Sequence, residues 1–177
     1  MFLAGAGCGV LIGWAAPGLS AVDWRPIVPP LEQARLVIRT DAKGNGRFGA
    51  PRSGHRFHRG VDIEAPLGSP VRAIRSGTVI EIGSHRGLGR FIELEHRHQL
   101  DSLYAHLDTV AVSVGERVRQ GQVIATVGKT GNARHPWITP HLHLEVHQGG
   151  SPIDPATLGL AFVEPAQESR DTHADGG

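Results

Sequence analysis

His141-Leu142-His143-Leu144-Glu145-Val146-His147 is the stretch that decides the fold. Leu142, Leu144 and Val146 alternate with polar residues at a period of two. Such alternation marks a half-buried strand, in which residues i and i+2 share a face. His141 and His143 therefore point the same way, roughly 7 Å apart along the strand. Glu145 stands on that face too. Two imidazoles so placed can supply a metal ligand and a neighbour that acts on a water beside the metal. Spacing alone leaves open which histidine does which.

Working outward, Phe91-Ile-Glu-Leu-Glu95 alternates in the same way, as expected of a strand with one face on a core. Val71–Ile74, Thr78–Ile82, Ser102–Leu107 and Val123–Val127 read as further short strands. Gly115, Gly121, Gly128 and Gly131 separate them as turns. No segment of ten or more residues carries a helical period. The chain has 24 glycines and 12 prolines but only 5% aromatic residues, which favours short strands and many turns. The expected fold class is all-β and antiparallel.

Two more clusters bear on chemistry, His58-Arg-Gly-Val-Asp62 and Tyr104-Ala-His106. A spacing of four would suit one helix face. Gly60, Val61, Ile63, Pro66 and Gly68 argue instead for a loop entering a short strand, with His58 and Asp62 both turned inward. Tyr104 and His106 are expected to share one strand face. Imidazole and carboxylate are ligands that catalytic zinc sites use, three from the protein with one position left open. The clusters hold enough groups for three ligands and two further histidines to handle protons.

In order along the chain come His58-Arg-Gly-Val-Asp62-Ile63, Gly68-Ser-Pro-Val71, Gly77-Thr-Val79, Tyr104-Ala-His106-Leu107, Val114-Gly115-Glu-Arg-Val118, Gly121-Gln-Val-Ile124, Val127-Gly128-Lys-Thr-Gly131 and Pro140-His141-Leu-His143-Leu-Glu145-Val146. This succession, over roughly residues 44 to 158, resembles the lysostaphin-type or LytM-like zinc endopeptidases of peptidase family M23. The resemblance implies a two-sheet, sandwich-like domain with an open active-site groove. It implies one zinc ion held by His58, Asp62 and His143, with His106 and His141 as the catalytic histidines. It also implies a substrate in the peptide cross-links of bacterial peptidoglycan. Arg47, Arg52, Tyr104 and Trp137 are expected along the groove, Trp137 as a wall or a hydrophobic plug. Some relatives occupy the fourth zinc position with an upstream asparagine; the asparagines here are Asn45 and Asn132. The link Asn132 to Pro140 is longer and bulkier than the Gly-rich link that family members often carry. The alternative function is a non-enzymatic LytM-type activator of another wall hydrolase, although such regulators have usually lost the ligands retained here.

The formal net charge of +1 and the lack of a nucleic-acid motif give no support to nucleic-acid binding. A single cysteine, Cys8, excludes an intramolecular disulfide. Residues 1–22 are uncharged, and Phe2 to Ala16 is apolar or small. This resembles an export signal or an uncleaved anchor, though it is short for a membrane span and Pro17-Gly18 breaks it. Gly18-Leu19-Ser20 offers a cleavage pattern. Cys8 lacks the aliphatic residue that lipoprotein sites usually carry upstream. Export to the periplasm or cell envelope is expected, with N-terminal membrane association as one form of it. Residues 23–40 read as a proline-rich linker and first strand, 41–160 as the peptidase-like domain, and 161–177 as a disordered polar tail.

Overall fold

A computed structural model describes residues 26–165. The signal-like segment 1–22, Cys8 and the tail beyond residue 165 lie outside the described residues. The early strands are short: β1 Leu36–Val37, β2 Thr40–Asp41, β3 Gly44–Asn45, β4 Pro51–Arg52 and β5 Arg56–Phe57. Then follow β6 Gly60–Glu64, β7 Pro70–Arg72, β8 Gly77–His85, β9 Gly89–His96 and β10 Leu100–Val110. The series closes with β11 Arg117–Val118, β12 Val123–Val127, β13 His141–Gln148, β14 Ser151–Ile153 and β15 Phe162–Val163. Two single 3-10 turns, Gly131–Arg134 and Pro155–Leu158, are the only helical elements among the described residues.

Nine strands form one antiparallel sheet that forks. One edge of β10 pairs with β9. Its other edge pairs with β13 over Leu100 to Ala105 and with β12 over Leu107 to Val110. The fork falls at His106. Against the three residues Ile92 to Arg90, β10 sets the four residues Tyr104 to Leu107, so one residue is extra. That residue is a bulge, and a bulge re-aims its side chain and bends its strand. His106 has φ 62°, in the left-handed region that non-glycine residues seldom occupy.

The alternation predicted at His141–His147 is present. Leu142, Leu144 and Val146 are buried in the main core with Ile63, Ile92, Leu94, Tyr104, Leu107 and Ile124. Burying each such aliphatic side chain stabilises by about 1.5–3 kcal/mol. The opposite face carries the histidines and Glu145, beside a small apolar cluster of Phe91, Leu103 and Ala105. Gly60 is required by the sheet itself. It pairs with Glu145, and a Cβ there would lie 2.3 Å from the Leu144 carbonyl oxygen.

Three expectations need correction. The proline-rich linker is extended but docked on the domain. Ile27 and Leu31 are buried, Val28 N–H donates to Ile74 O at 3.0 Å, and Leu31 bridges to Val71. The polar tail does not begin at residue 161, because Phe162–Val163 pairs in parallel with Leu36–Val37. Tyr104 does not line a groove. It is fully buried, and its hydroxyl accepts from Ile74 N–H at 2.9 Å and lies 3.0 Å from Ser102 Oγ. Burial pushes its pKa to about 12. The bulge is the physical reason. It breaks the i, i+2 rule, so Tyr104 stays in the core while His106 turns to the other face.

Candidate metal centre

Strands β6 and β13 set Asp62 directly opposite His143. His58 precedes β6, its backbone fastened by His58 N–H to Ala50 O and Gly49 N–H to His58 O, each 2.9 Å. These anchors bring His58 Nε2, Asp62 Oδ1 and His143 Nδ1 together. The separations are 3.2 Å from His58 to Asp62, 2.8 Å from His143 to Asp62 and 3.1 Å between the two imidazole nitrogens. All three residues are buried, and they form a group that could hold a metal ion.

The remaining ring nitrogens decide what this group wants. His58 Nδ1 lies 2.8 Å from the Arg47 carbonyl oxygen, and His143 Nε2 lies 3.0 Å from Glu145 Oε1. Both partners are acceptors, so both of these nitrogens carry protons. The inward His58 Nε2 and His143 Nδ1 then present lone pairs to a carboxylate oxygen. Three converging acceptors need a cation between them, a metal ion or, in the metal-free fold, a proton. Donor atoms bound at 2.0–2.2 Å in a tetrahedron sit about 3.3 Å apart, close to the separations here. The donor set therefore fits zinc. Burial alone would lower the pKa of His143, but the hydrogen bonds and charges of Asp62 and Glu145 raise it to about 9. Burial would raise Asp62, yet hydrogen bonds from His143 and His58 hold its carboxyl well below the usual range.

Asp62 Oδ2 faces the other way. It accepts from Arg39 Nη2 at 2.9 Å and lies 3.7 Å from Arg52 Nη2. Arg39 also pairs with Asp41 at 2.6 Å, and Asp41 accepts from Thr139 N–H at 3.2 Å. Sequence reasoning missed Arg39 and Asp41. The only available signal was their i, i+2 spacing at the end of an apolar run.

His106 and His141 lie beside the three candidate ligands, their rings edge to face with centroids 4.8 Å apart. His106 Nδ1 donates to Thr130 O at 3.0 Å and His141 Nδ1 to Thr139 O at 2.6 Å. Each ring is thereby fixed with Nε2 as its acceptor. His141 Nε2 lies 3.9 Å from Asp62 Oδ1. Burial, then the neighbouring histidines, lowers His106 to about 3. Burial is also the main cause that lowers His141. Both rings therefore stay neutral, each with an Nε2 lone pair that can accept a hydrogen bond.

The groove expectations divide. Arg52 is half-buried beside Asp62, and its Nη1 donates to Asn45 O at 2.9 Å. The Arg47 side chain pairs with Glu164 at 2.7 Å, and only its carbonyl reaches the centre. Trp137 is 56% exposed and stacks on His135 at 5.0 Å. The Asn45 side chain accepts from Arg47 N–H at 2.7 Å, a local turn contact.

The sequence model described as Peptidase family M23 matches residues 56–155. The chain belongs to peptidase family M23. Among relatives, this M23 chain is 36% identical over 115 residues to the DD-carboxypeptidase/endopeptidase Mpg of Neisseria meningitidis, 65% of this chain and 26% of that protein. It is 38% identical over 111 residues to the lipoprotein NlpD/LppB homolog of Pseudomonas aeruginosa, 62% of this chain and 35% of that one. The chain thus spans about a quarter to a third of these relatives. A crystal structure of a zinc-containing peptidase from Vibrio cholerae resembles the M23 domain with TM-score 0.55 and 27% identity, covering 79% of this chain and 40% of that one.

Proposed function

We propose that the chain is a zinc-dependent endopeptidase that cuts peptide cross-links of bacterial peptidoglycan in the periplasm or cell envelope. The observation that carries this reading is the convergence of His58 Nε2, Asp62 Oδ1 and His143 Nδ1 beside two neutral histidines. Likeness to a DD-endopeptidase supports the substrate class. His58, Asp62 and His143 hold the ion; zinc, when bound, makes an attacking water acidic and polarises the scissile carbonyl. The chain's own residues handle the protons. His106 and His141 each offer a neutral Nε2 as acceptor, since their Nδ1 protons are spent on Thr130 O and Thr139 O. One takes the water's proton. Once protonated, an imidazole can pass that proton to the leaving amine. Arg39 holds Oδ2 of Asp62 and so leaves Oδ1 aimed inward.

A second reading, a non-enzymatic activator of another hydrolase, is favoured by likeness to the NlpD/LppB lipoprotein homolog. The complete set of candidate ligands and histidines weighs against it. Digestion of purified sacculi by the zinc-loaded protein, with and without chelator, separates the two by mass spectrometry. Chelator-sensitive release of cleaved cross-links supports the enzyme. A folded, zinc-loaded protein that releases nothing overturns it.

A further inference from the structure

A hollow of about 330 Å³ adjoins the candidate centre at the tip of the β8–β9 hairpin. His85, Arg86 and Arg90 line it from the hairpin, and Thr130, Gly131 and Arg134 from the first 3-10 turn and the residue before it. Among the described residues, no aspartate or glutamate lines it. Among the described residues, none of the three guanidinium groups is paired with a carboxylate. His85 Nδ1 accepts from Gly87 N–H at 3.1 Å, which leaves Nε2–H as its donor. Further along the same strands Glu81 stands opposite Glu93, so the positive charge is confined to the tip.

The hollow is built rigidly. Asn132 N–H donates to Gly87 O at 2.8 Å and Arg90 N–H to Thr130 Oγ1 at 2.9 Å. Gly131, at φ 61°, packs so closely that a Cβ there would lie 2.2 Å from Gly89 N. Its wall is also part of the candidate centre, because the Thr130 carbonyl holds His106 Nδ1.

We propose that this hollow is an anion subsite that binds a free carboxylate of the substrate beside the amide to be cut. The inference rests on the endopeptidase reading above. Unpaired guanidinium groups bind carboxylates through charge-assisted, often bidentate hydrogen bonds. A cross-link whose amine-side residue is a diamino acid with a second carboxyl group carries such a charge. A glycine bridge does not. The hollow therefore selects the first class of cross-link.

The test uses two soluble cross-linked muropeptides that differ only in a free or amidated diaminopimelate carboxyl, given to the full zinc-loaded chain. The free form is expected to be cut with about tenfold higher kcat/KM, carried by KM, the size of one charge-assisted contact at a half-open site. In the Arg90→Gln/Arg134→Gln double variant, shown to be folded by circular dichroism, that ratio is expected to fall to about one. Equal cleavage of both peptides by the unaltered protein overturns the proposal, as does a preference that survives in the variant. Phosphate shares the anionic chemistry. Inhibition by inorganic phosphate that is lost in the variant, with no effect of amidation, overturns the carboxylate assignment. If neither peptide is cut, the endopeptidase reading fails and calorimetric binding decides the subsite. About tenfold tighter binding of the free form, abolished in the variant, supports it; equal binding overturns it.

Discussion

Arg39 and Asp62 share a buried ion pair in which Oδ2 of the carboxylate meets the guanidinium while Oδ1 faces the two candidate-ligand imidazoles. The arginine therefore fixes which oxygen is offered to a metal. Arg39→Met takes the hydrogen-bonded counter-charge from buried Asp62 and half-buried Asp41. Removing one partner of a buried pair destabilises by about 3–5 kcal/mol, and losing an outer partner of a ligand weakens metal binding about 10–100-fold. Urea unfolding and zinc competition with a chelator measure the two effects. Unchanged zinc affinity would show that Arg39 is a fold residue only.

His106 carries both a strained backbone and a proton-accepting ring. His106→Asn suits the left-handed conformation, since asparagine tolerates it better than alanine. The expected variant folds, holds zinc stoichiometrically and loses about two to four orders of magnitude in kcat. Retention of full activity would remove His106 from the chemistry.

His58→Ala and Asp62→Asn each take one donor from the proposed three. Zinc content by mass spectrometry and activity should fall together, and chelation of the unaltered protein should reproduce the loss. Activity that persists in a zinc-free variant would contradict the proposed centre.

Zinc and a proton compete for His143. A pKa raised to about 9 in the metal-free fold means that the proton stabilises the fold below the unfolded value of about 6.5. That contribution is lost as the pH rises through 9. Zinc must displace this proton, so its apparent affinity should rise about tenfold per pH unit between about 7 and 9 and then level off. Calorimetric titration across that range checks the slope. A flat profile would mean that His143 gives up no proton on binding.

Tyr104→Phe tests the correction of its place. Loss of the hydroxyl leaves the buried Ile74 N–H without its acceptor, at a cost of about 1–3 kcal/mol in stability. KM and kcat at a temperature where the variant is folded should not change. A raised KM with unchanged stability would return Tyr104 to the groove.

Much of this was legible because strand periodicity survives burial. His141 to His147 announces its two faces through apolar residues alone, and the Gly60 between His58 and Asp62 signals a close strand neighbour. The bulge at His106 was not legible. Nothing in Tyr104-Ala-His106 distinguishes a regular strand from one with an extra residue, since the bulge falls where β10 passes from one downstream partner, β13, to another, β12, while still paired with β9. Arg39 was hidden for a related reason. A buried arginine is defined by carboxylates that only the folded chain brings to it, and Asp62 lies 23 residues away. Nor do pattern rules reveal that Phe162–Val163 finds Leu36–Val37, a pairing between near-opposite ends of the described chain.

That last pairing sets an order of assembly. Ile38 N–H donates to Val163 O at 2.8 Å, so the segment that delivers Arg39 and Asp41 is latched by almost the last described residues. Contacts so distant in sequence close late, because loop entropy must be overcome first. On a ribosome or during passage through a narrow export channel, the candidate centre would thus lack its buttressing arginine until residue 163 is free. A molecule clipped before Phe162 would keep all three candidate ligands and lose the clasp that aims one of them.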